Sequence, residues 1–272
     1  MKTDKVHFKN KNGDQLVGYL ELPSNTKPKS FALFAHCFTC NKNFFAPKNI
    51  SRSLAEYGYG VLRFDFTGLG ESEGDFATSG FSANVEDLIA AARFLEKEYK
   101  APALLVGHSL GGAAVLYASE AIKSVKAVAT IGAPSTVQHV EQHLRGSIDE
   151  LKKNGSAAIN IGGRDFNITD KFLEDIRKHR PRDFMKNWGK ALLILHSPGD
   201  LIVGIKQAEE LYLAAKHPKS FVSLDKADHL LSSKSDAIYT AGVIAAWAKK
   251  YVVLEDEEIN APATQLQVVA AL

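Results

Sequence analysis

The rhythm of apolar and polar positions changes several times along the chain, and each change marks an element. Residues 6–22 alternate loosely around Asn12-Gly13-Asp14, which predicts a β-hairpin with strands over 6–9 and 15–22. A Pro-, Ser- and Asn-containing turn follows at 23–29. Residues 31–35 are continuously apolar, as in a strand buried on both faces. A helical pattern over about 49–57 is stopped by Gly58, and 60–65 reads as the next strand. The stretch 82–99 carries Val85, Leu88, Ile89, Ala92 and Leu95 on one helical face. An apolar run from Leu104 then leads into Gly107-His108-Ser109-Leu110-Gly111, an Ala-rich helical pattern at 113–121, and an apolar strand at 125–131. The repetition of strand and helix, with strands too apolar for a solvated face, predicts an α/β protein. Its mostly parallel central sheet is covered by helices on both faces and preceded by an antiparallel hairpin.

Residues 135–185 break the rhythm. They are polar, with a helix-like pattern over 137–151 and a hairpin whose strands are 157–161 and 166–168, turned by Gly162-Gly163-Arg164-Asp165. Thr169 or Asp170 then caps a helix running to about 178. The alternation resumes with a strand at 191–195, a helix at 205–215, a strand at 220–224 and a helix at 235–251. The segmentation is therefore a core of 1–134 and 186–251, a small cap insertion at 135–185, and a C-terminal tail or linker at 252–272 that opens with a run of acidic residues.

Composition narrows the partners. A chain of 272 residues, 45% of them hydrophobic, suffices for one large core with an insertion. The net charge of +2 comes from interspersed signs without a basic stripe, which argues against nucleic acid. No run is long enough to span a bilayer, and the first residues lack the apolar core of a signal peptide. Two cysteines, Cys37 and Cys40, are too few and too close to staple a secreted fold, so a cytoplasmic location is the expectation.

The chemistry centres on G-x-S-x-G at 107–111. A strand before it and a helix after it make this a nucleophile elbow, with Ser109 on a strained turn and glycines where side chains would collide with neighbouring backbone. A serine hydroxyl needs a base within reach, and the base needs an orienting group. Of nine histidines, His229 lies in a loop after the last candidate strand and is the candidate general base. His196 comes too early, and His217 beside Pro218 reads as a surface residue. Asp200, in the turn after the 191–195 strand, is the candidate acid under the order nucleophile, acid, base; Asp225 and Asp228 are its competitors. An oxyanion hole needs two N–H groups, and the candidates are Leu110 after the nucleophile and Phe38 in the loop after the 31–35 strand.

Other motifs read more plainly. The glycine-rich loop 67–74 lacks the Lys-Ser/Thr pair of a phosphate cradle, and no cofactor is implied. Cys37 and Cys40 form a lone C-x-x-C with no second half of a metal site, so they read as small residues shaping the oxyanion loop, with oxidative control as the sharper alternative. His139 and His143 are four apart on a predicted helix, but without the adjacent glutamate of a zinc protease, so they read as a solvated or pocket-lining face; no metal is expected. His36 reads as a hydrogen-bonder of its loop and His108 as lining the elbow. Phe44, Phe45, Phe166 and Phe172 line an acyl pocket or simply pack.

Taken together, His36-x-Phe38, Asp65-x-x-Gly68-x-Gly70-x-Ser72, Gly107-His108-Ser109-Leu110-Gly111-Gly112, Asp200 and His229 resemble the α/β-hydrolase superfamily over residues of about 30 to 230. The stretches 35–40, 62–70 and 128–134 are most similar to the hydrolase half of bacterial proteins in which such a domain precedes an OsmC-like domain, a partner that a longer relative would carry. Where that family commonly has Gly after the loop histidine, this chain has Cys37. The cap resembles that of small feruloyl and short-chain esterases. The resemblance implies a serine carboxylesterase acting on small to medium acyl or aryl esters through an acyl-enzyme on Ser109. Thioesterase, amidase or perhydrolase chemistry stays open. So does a non-catalytic or redox-regulated binding module on the same fold.

Overall fold

The computed structural model describes all residues except 38–39, 78, 144–145, 147–150, 152, 162–163, 180–184 and 253–272, so the tail read over 252–272 lies outside the described residues apart from Val252, which is buried. The elements run β1 (Lys2–Lys9), β2 (Gln15–Leu22), β3 (Ser30–Ala35), α1 (Phe45–Glu56), β4 (Tyr59–Phe64), α2 (Phe81–Glu98), β5 (Leu104–His108), α3 (Leu110–Ala121) and β6 (Ala127–Ile131). After β6 come a 3-10 helix (Val137–His143), β7 (Ser156–Ile161), β8 (Arg164–Thr169), α4 (Asp170–Arg177), β9 (Ala191–His196), α5 (Lys206–Ala214), β10 (Lys219–Ser223) and α6 (Lys234–Ala248).

One sheet has the order β1-β2-β4-β3-β5-β6-β9-β10, and β7-β8 form a separate two-stranded sheet. The pairs β1/β2 and β2/β4 are antiparallel, and the strands from β4 through β10 are parallel. The alternation of side chains along each strand explains the continuous apolar runs. Leu33, Leu105, Val128 and Leu192 face one core with residues of α2, α3 and α5. Their neighbours Ala32, Leu104, Ala127 and Ala191 face a second core with α1 and α6. Both faces are thus buried, as a parallel sheet requires. Among the described residues no helix is long and apolar enough to cross a membrane.

Several elements depart from the sequence reading, the hairpin among them, since Arg164 and Asp165 of its expected turn lie in β8. The strand β1 starts at Lys2, four residues earlier than the pattern suggested; as an edge strand it leaves most of its side chains in solvent. The helix α1 starts at Phe45 and holds Pro47 in its first turn, where a missing N–H costs nothing, so apolar periodicity from Ile50 onward marked only its second half. The helix read over 137–151 begins as a 3-10 helix at Val137–His143, and residues 144–145 and 147–150 of that reading lie outside the described residues.

Buried charge anchors the loop that follows β3. Lys42 is fully buried and paired with Asp65, which also accepts the Lys42 backbone N–H at 2.6 Å. Arg63 Nη2 donates to Glu21 at 2.8 Å, and Arg63 Nη1 donates to the Lys42 carbonyl. Removing one partner of a buried pair strands the other charge, at a cost of roughly 3–5 kcal/mol. Asp65→Ala should lose about that much stability in urea unfolding. A change under about 1 kcal/mol, the value of a surface pair, would show that the network is not structural.

Candidate active site

The strands β3, β5 and β9 end on one edge of the sheet, the edge where parallel α/β sheets carry their sites. Ser109 follows β5 with φ 55° and ψ −126°, a left-handed turn for a non-glycine residue. Its N–H donates to the Ile131 carbonyl at 2.8 Å, and its carbonyl accepts the Gly112 N–H at 2.8 Å. Glycine is required on both sides. A Cβ at Gly107 would stand 2.3 Å from the Gly111 carbonyl oxygen, and one at Gly111 would stand 2.3 Å from that of His36. The turn is therefore packed backbone to backbone against α3 and the end of β3. Ser109 is the N-cap of α3 by position, yet its side chain makes no capping bond.

That hydroxyl faces His229 instead, with Oγ 3.0 Å from Nε2. The loop between β10 and α6 presents His229 and is pinned by buried Ala227 and Leu231. On the other side of the ring, Nδ1 lies 2.7 Å from Asp200 Oδ2. The remaining oxygen of Asp200 accepts the Ile202 and Val203 N–H groups, each at 2.9 Å. These bonds fix the tautomer: Nδ1 carries the proton toward Asp200, and Nε2 accepts from Ser109. Burial opposes ionisation of Asp200, but the bonds from His229, Val203 and Ile202 outweigh it and hold the carboxyl below its ordinary range. That contribution to stability is present above the ordinary carboxyl range and fades as pH falls through the lowered value.

The competing groups are occupied locally. Asp228 is exposed and accepts the Ser232 N–H at 3.1 Å, and Asp225 accepts the Ser223 hydroxyl at 2.6 Å. His196 ends β9 and donates Nε2–H to the Val203 carbonyl at 2.7 Å, closing the loop that carries Asp200. Leu110 opens α3, so its N–H is among the first-turn donors without an intrahelical acceptor. Phe38, the other oxyanion candidate, lies outside the described residues.

Several neighbours go beyond their sequence reading. His108 donates Nε2–H to the backbone carbonyl of His229 at 2.7 Å, a link between residues 121 apart that no local signal could reveal. Burial pushes the His108 ring down to about 4, and burial also lowers His36 and His196. His139, read as a solvated or pocket-lining residue, donates Nε2–H to the Ile202 carbonyl at 2.9 Å and ties the segment after β6 to the Asp200 loop. Cys37 and Cys40, read as small packing groups, are joined as a disulfide with their Cα atoms 5.3 Å apart. Phe172 packs in the core with Phe76.

Comparison with known proteins agrees with this architecture. The model of the alpha/beta hydrolase family matches residues 32–241, and the chain belongs to that family. The solved esterase domain from a Rhodothermus marinus protein is 49% identical, covering 92% of this chain and 99% of that one at a TM-score of 0.77. The uncharacterized protein YfhR of Escherichia coli strain K12 is 24% identical over 84% of this chain and 73% of its own. The mitochondrial palmitoyl-protein thioesterase ABHD10 of Rattus norvegicus is 27% identical over 61% of this chain and 52% of its own. The narrower resemblance to OsmC fusion proteins rests on the sequence stretches alone.

The elbow makes a sharp prediction. In an open helix Gly→Ala gains about 1 kcal/mol. Gly111→Ala should instead destabilise, because its Cβ would meet the His36 and Ala35 carbonyl oxygens at 2.3 and 2.5 Å. Gly199→Ala, whose nearest neighbour would be Ser197 Oγ at 3.8 Å, is the matched control. Equal melting temperatures for the two variants would contradict the close approach.

Proposed function

We propose that the protein is a serine carboxylesterase, with Ser109 as nucleophile, His229 as general base and Asp200 as the orienting acid. The observation that carries this reading is the unbroken hydrogen-bonded series Ser109 Oγ, His229 Nε2, His229 Nδ1, Asp200 Oδ2. Ser109 Oγ attacks the ester carbonyl as its proton passes to His229 Nε2. The oxyanion is held by the N–H groups of Leu110 and Phe38. The imidazolium, stabilised by ionised Asp200, then protonates the departing alcohol. Water loses a proton to His229, attacks the acyl-enzyme and releases the acid, restoring Ser109. The sequence uses the chain's side chains, its backbone N–H groups and water.

The 49% identity to a solved esterase domain supports the ester as substrate. The rat relative's name favours a thioester as the second reading, since the same nucleophile and hole would serve it. Residues 135–185 are read as the cap that sets acyl size. His139 at the Ile202 carbonyl and Ser135, bonded to Gln207 and Glu210, tether its first turn to the active edge.

A p-nitrophenyl ester ladder from acetate to long acyl chains tests the reading directly. The expected outcome is a rate that peaks at short chains and falls on the order of 10⁴-fold or more in Ser109→Ala and, through the wrong tautomer, about 10⁴-fold in Asp200→Asn. Wild-type turnover in Ser109→Ala would sink the mechanism. Assay before and after a dithiol reductant separates the redox reading of Cys37 and Cys40: a rate that does not respond to reduction removes it.

A further inference from the structure

We propose that His108 is a positioning residue: its bond to the backbone carbonyl of His229 sets where the base stands between Ser109 and Asp200. The proposal rests on the reading of these three residues as the reacting set. His108 immediately precedes Ser109 on the strained turn, so one rigid piece of backbone holds His229 twice. Ser109 Oγ meets its ring at 3.0 Å, and His108 Nε2 meets its main chain at 2.7 Å. The base's own loop offers less. His229 lies outside any strand or helix, between Lys226 (φ 65°) and Leu231 (φ 50°), two residues in the left-handed region. The loop's own backbone bonds run from the Ala227 N–H to the Leu224 carbonyl and from the Leu231 N–H to the Asp228 carbonyl, each at 3.1 Å, and neither takes the carbonyl of residue 229. The other ring nitrogen of His108, Nδ1, is buried and has no hydrogen-bond partner among the described residues, so among them the ring's polar side makes this one bond.

The chemistry explains why histidine suits the position. The donor must be short, must reach from the elbow, and must not add a charge beside a ring that becomes an imidazolium. The two ring centroids are 5.3 Å apart. Burial keeps His108 uncharged at neutral pH, so it donates without opposing the proton that His229 takes up. Lysine or arginine would donate but would bring a cation. A residue merely filling the core would be replaceable by any side chain of its volume.

The test uses three variants on the whole protein. Glutamine places an amide nitrogen where Nε2 stands, asparagine places it where Nδ1 stands, and leucine places none. The readouts are kcat and KM on the best ester of the ladder, and the low-field proton resonance of His229 Nδ1–H bonded to Asp200. The expected result is a kcat reduced about 100-fold in His108→Asn and His108→Leu, the cost of a small misplacement of the base, with KM unchanged. The low-field resonance should move or broaden in those two, and His108→Gln should restore both readouts. Equal behaviour of the Gln, Asn and Leu variants would overturn the proposal, as would a wild-type resonance in all three. Because the resonance needs no substrate, a wild type that hydrolyses nothing would overturn the esterase reading alone and leave this assignment to be judged on the spectrum.

Discussion

The backbone of the Ser109 turn, pressed against α3 and the end of β3, is the contact on which the rest of the arrangement depends. Two glycines make it possible, and both would place a Cβ within 2.3 Å of a carbonyl oxygen if replaced by alanine. A serine at φ 55° stores strain of about 1–3 kcal/mol, which must be offset elsewhere. The offset is the position of β5. It lies at the middle of the sheet, hydrogen-bonded in register to β3 on one side and β6 on the other, with every residue buried. A turn at the end of such a strand has little freedom to relax, so its hydroxyl is held clear of the helix it would otherwise cap.

From that turn outward, the active edge is assembled by loops that are each tied down through a carbonyl. The loop after β9 is closed by His196 on the Val203 carbonyl, and the loop after β10 is held by His108 on the His229 carbonyl. The loop after β3 is fastened at its far end by Arg63 on the Lys42 carbonyl and by Asp65 on the Lys42 N–H. Irregular backbone near a buried edge must satisfy its polar groups, and here side chains from the strand ends do so. The loops that carry Asp200 and His229 are irregular and are held by bonds to the sheet.

The parts of this arrangement that were legible in the sequence are those with a local cause. The central strands β3, β5, β6 and β9 announced themselves because both faces are buried and nearly every position is apolar. Ser109 was legible because the glycines flanking it are demanded by contacts that any nucleophile elbow makes. Asp200 and His229 were candidates from their order along the chain, and their side chains meet in the structure at 2.7 Å. What stayed hidden depends on distant partners. The His108 bond joins residues 121 apart. Nothing in the neighbourhood of Lys42 says that it is buried against Asp65, because a lysine in a polar loop reads as solvated. The start of β1 was missed because an edge strand needs few apolar positions. The start of α1 was missed because Pro47 is harmless only when it falls in a first turn. Cys37 and Cys40 could be read as packing groups because three-residue spacing alone does not say whether the loop brings them together.

The placement of charge suits the role proposed for His229. On the proposed mechanism it takes up a proton beside an ester and gives it back, so its surroundings must tolerate a transient cation. At an effective dielectric of about 20, a fixed unit charge at the distance of the His108 ring would oppose that step by about 3 kcal/mol. The groups around the site avoid this. Burial lowers His36, His108 and His196 toward the uncharged form, and Asp200, held below the ordinary carboxyl range and bonded to the His229 ring, has the sign that helps. The full positive charge of Lys42 is buried as well, but it is neutralised in direct contact with Asp65. The fold thus uses ion pairs to fasten the scaffold and neutral imidazoles to fasten the loops nearest the reacting atoms, because only the second kind of bond leaves the electrostatics of the base undisturbed.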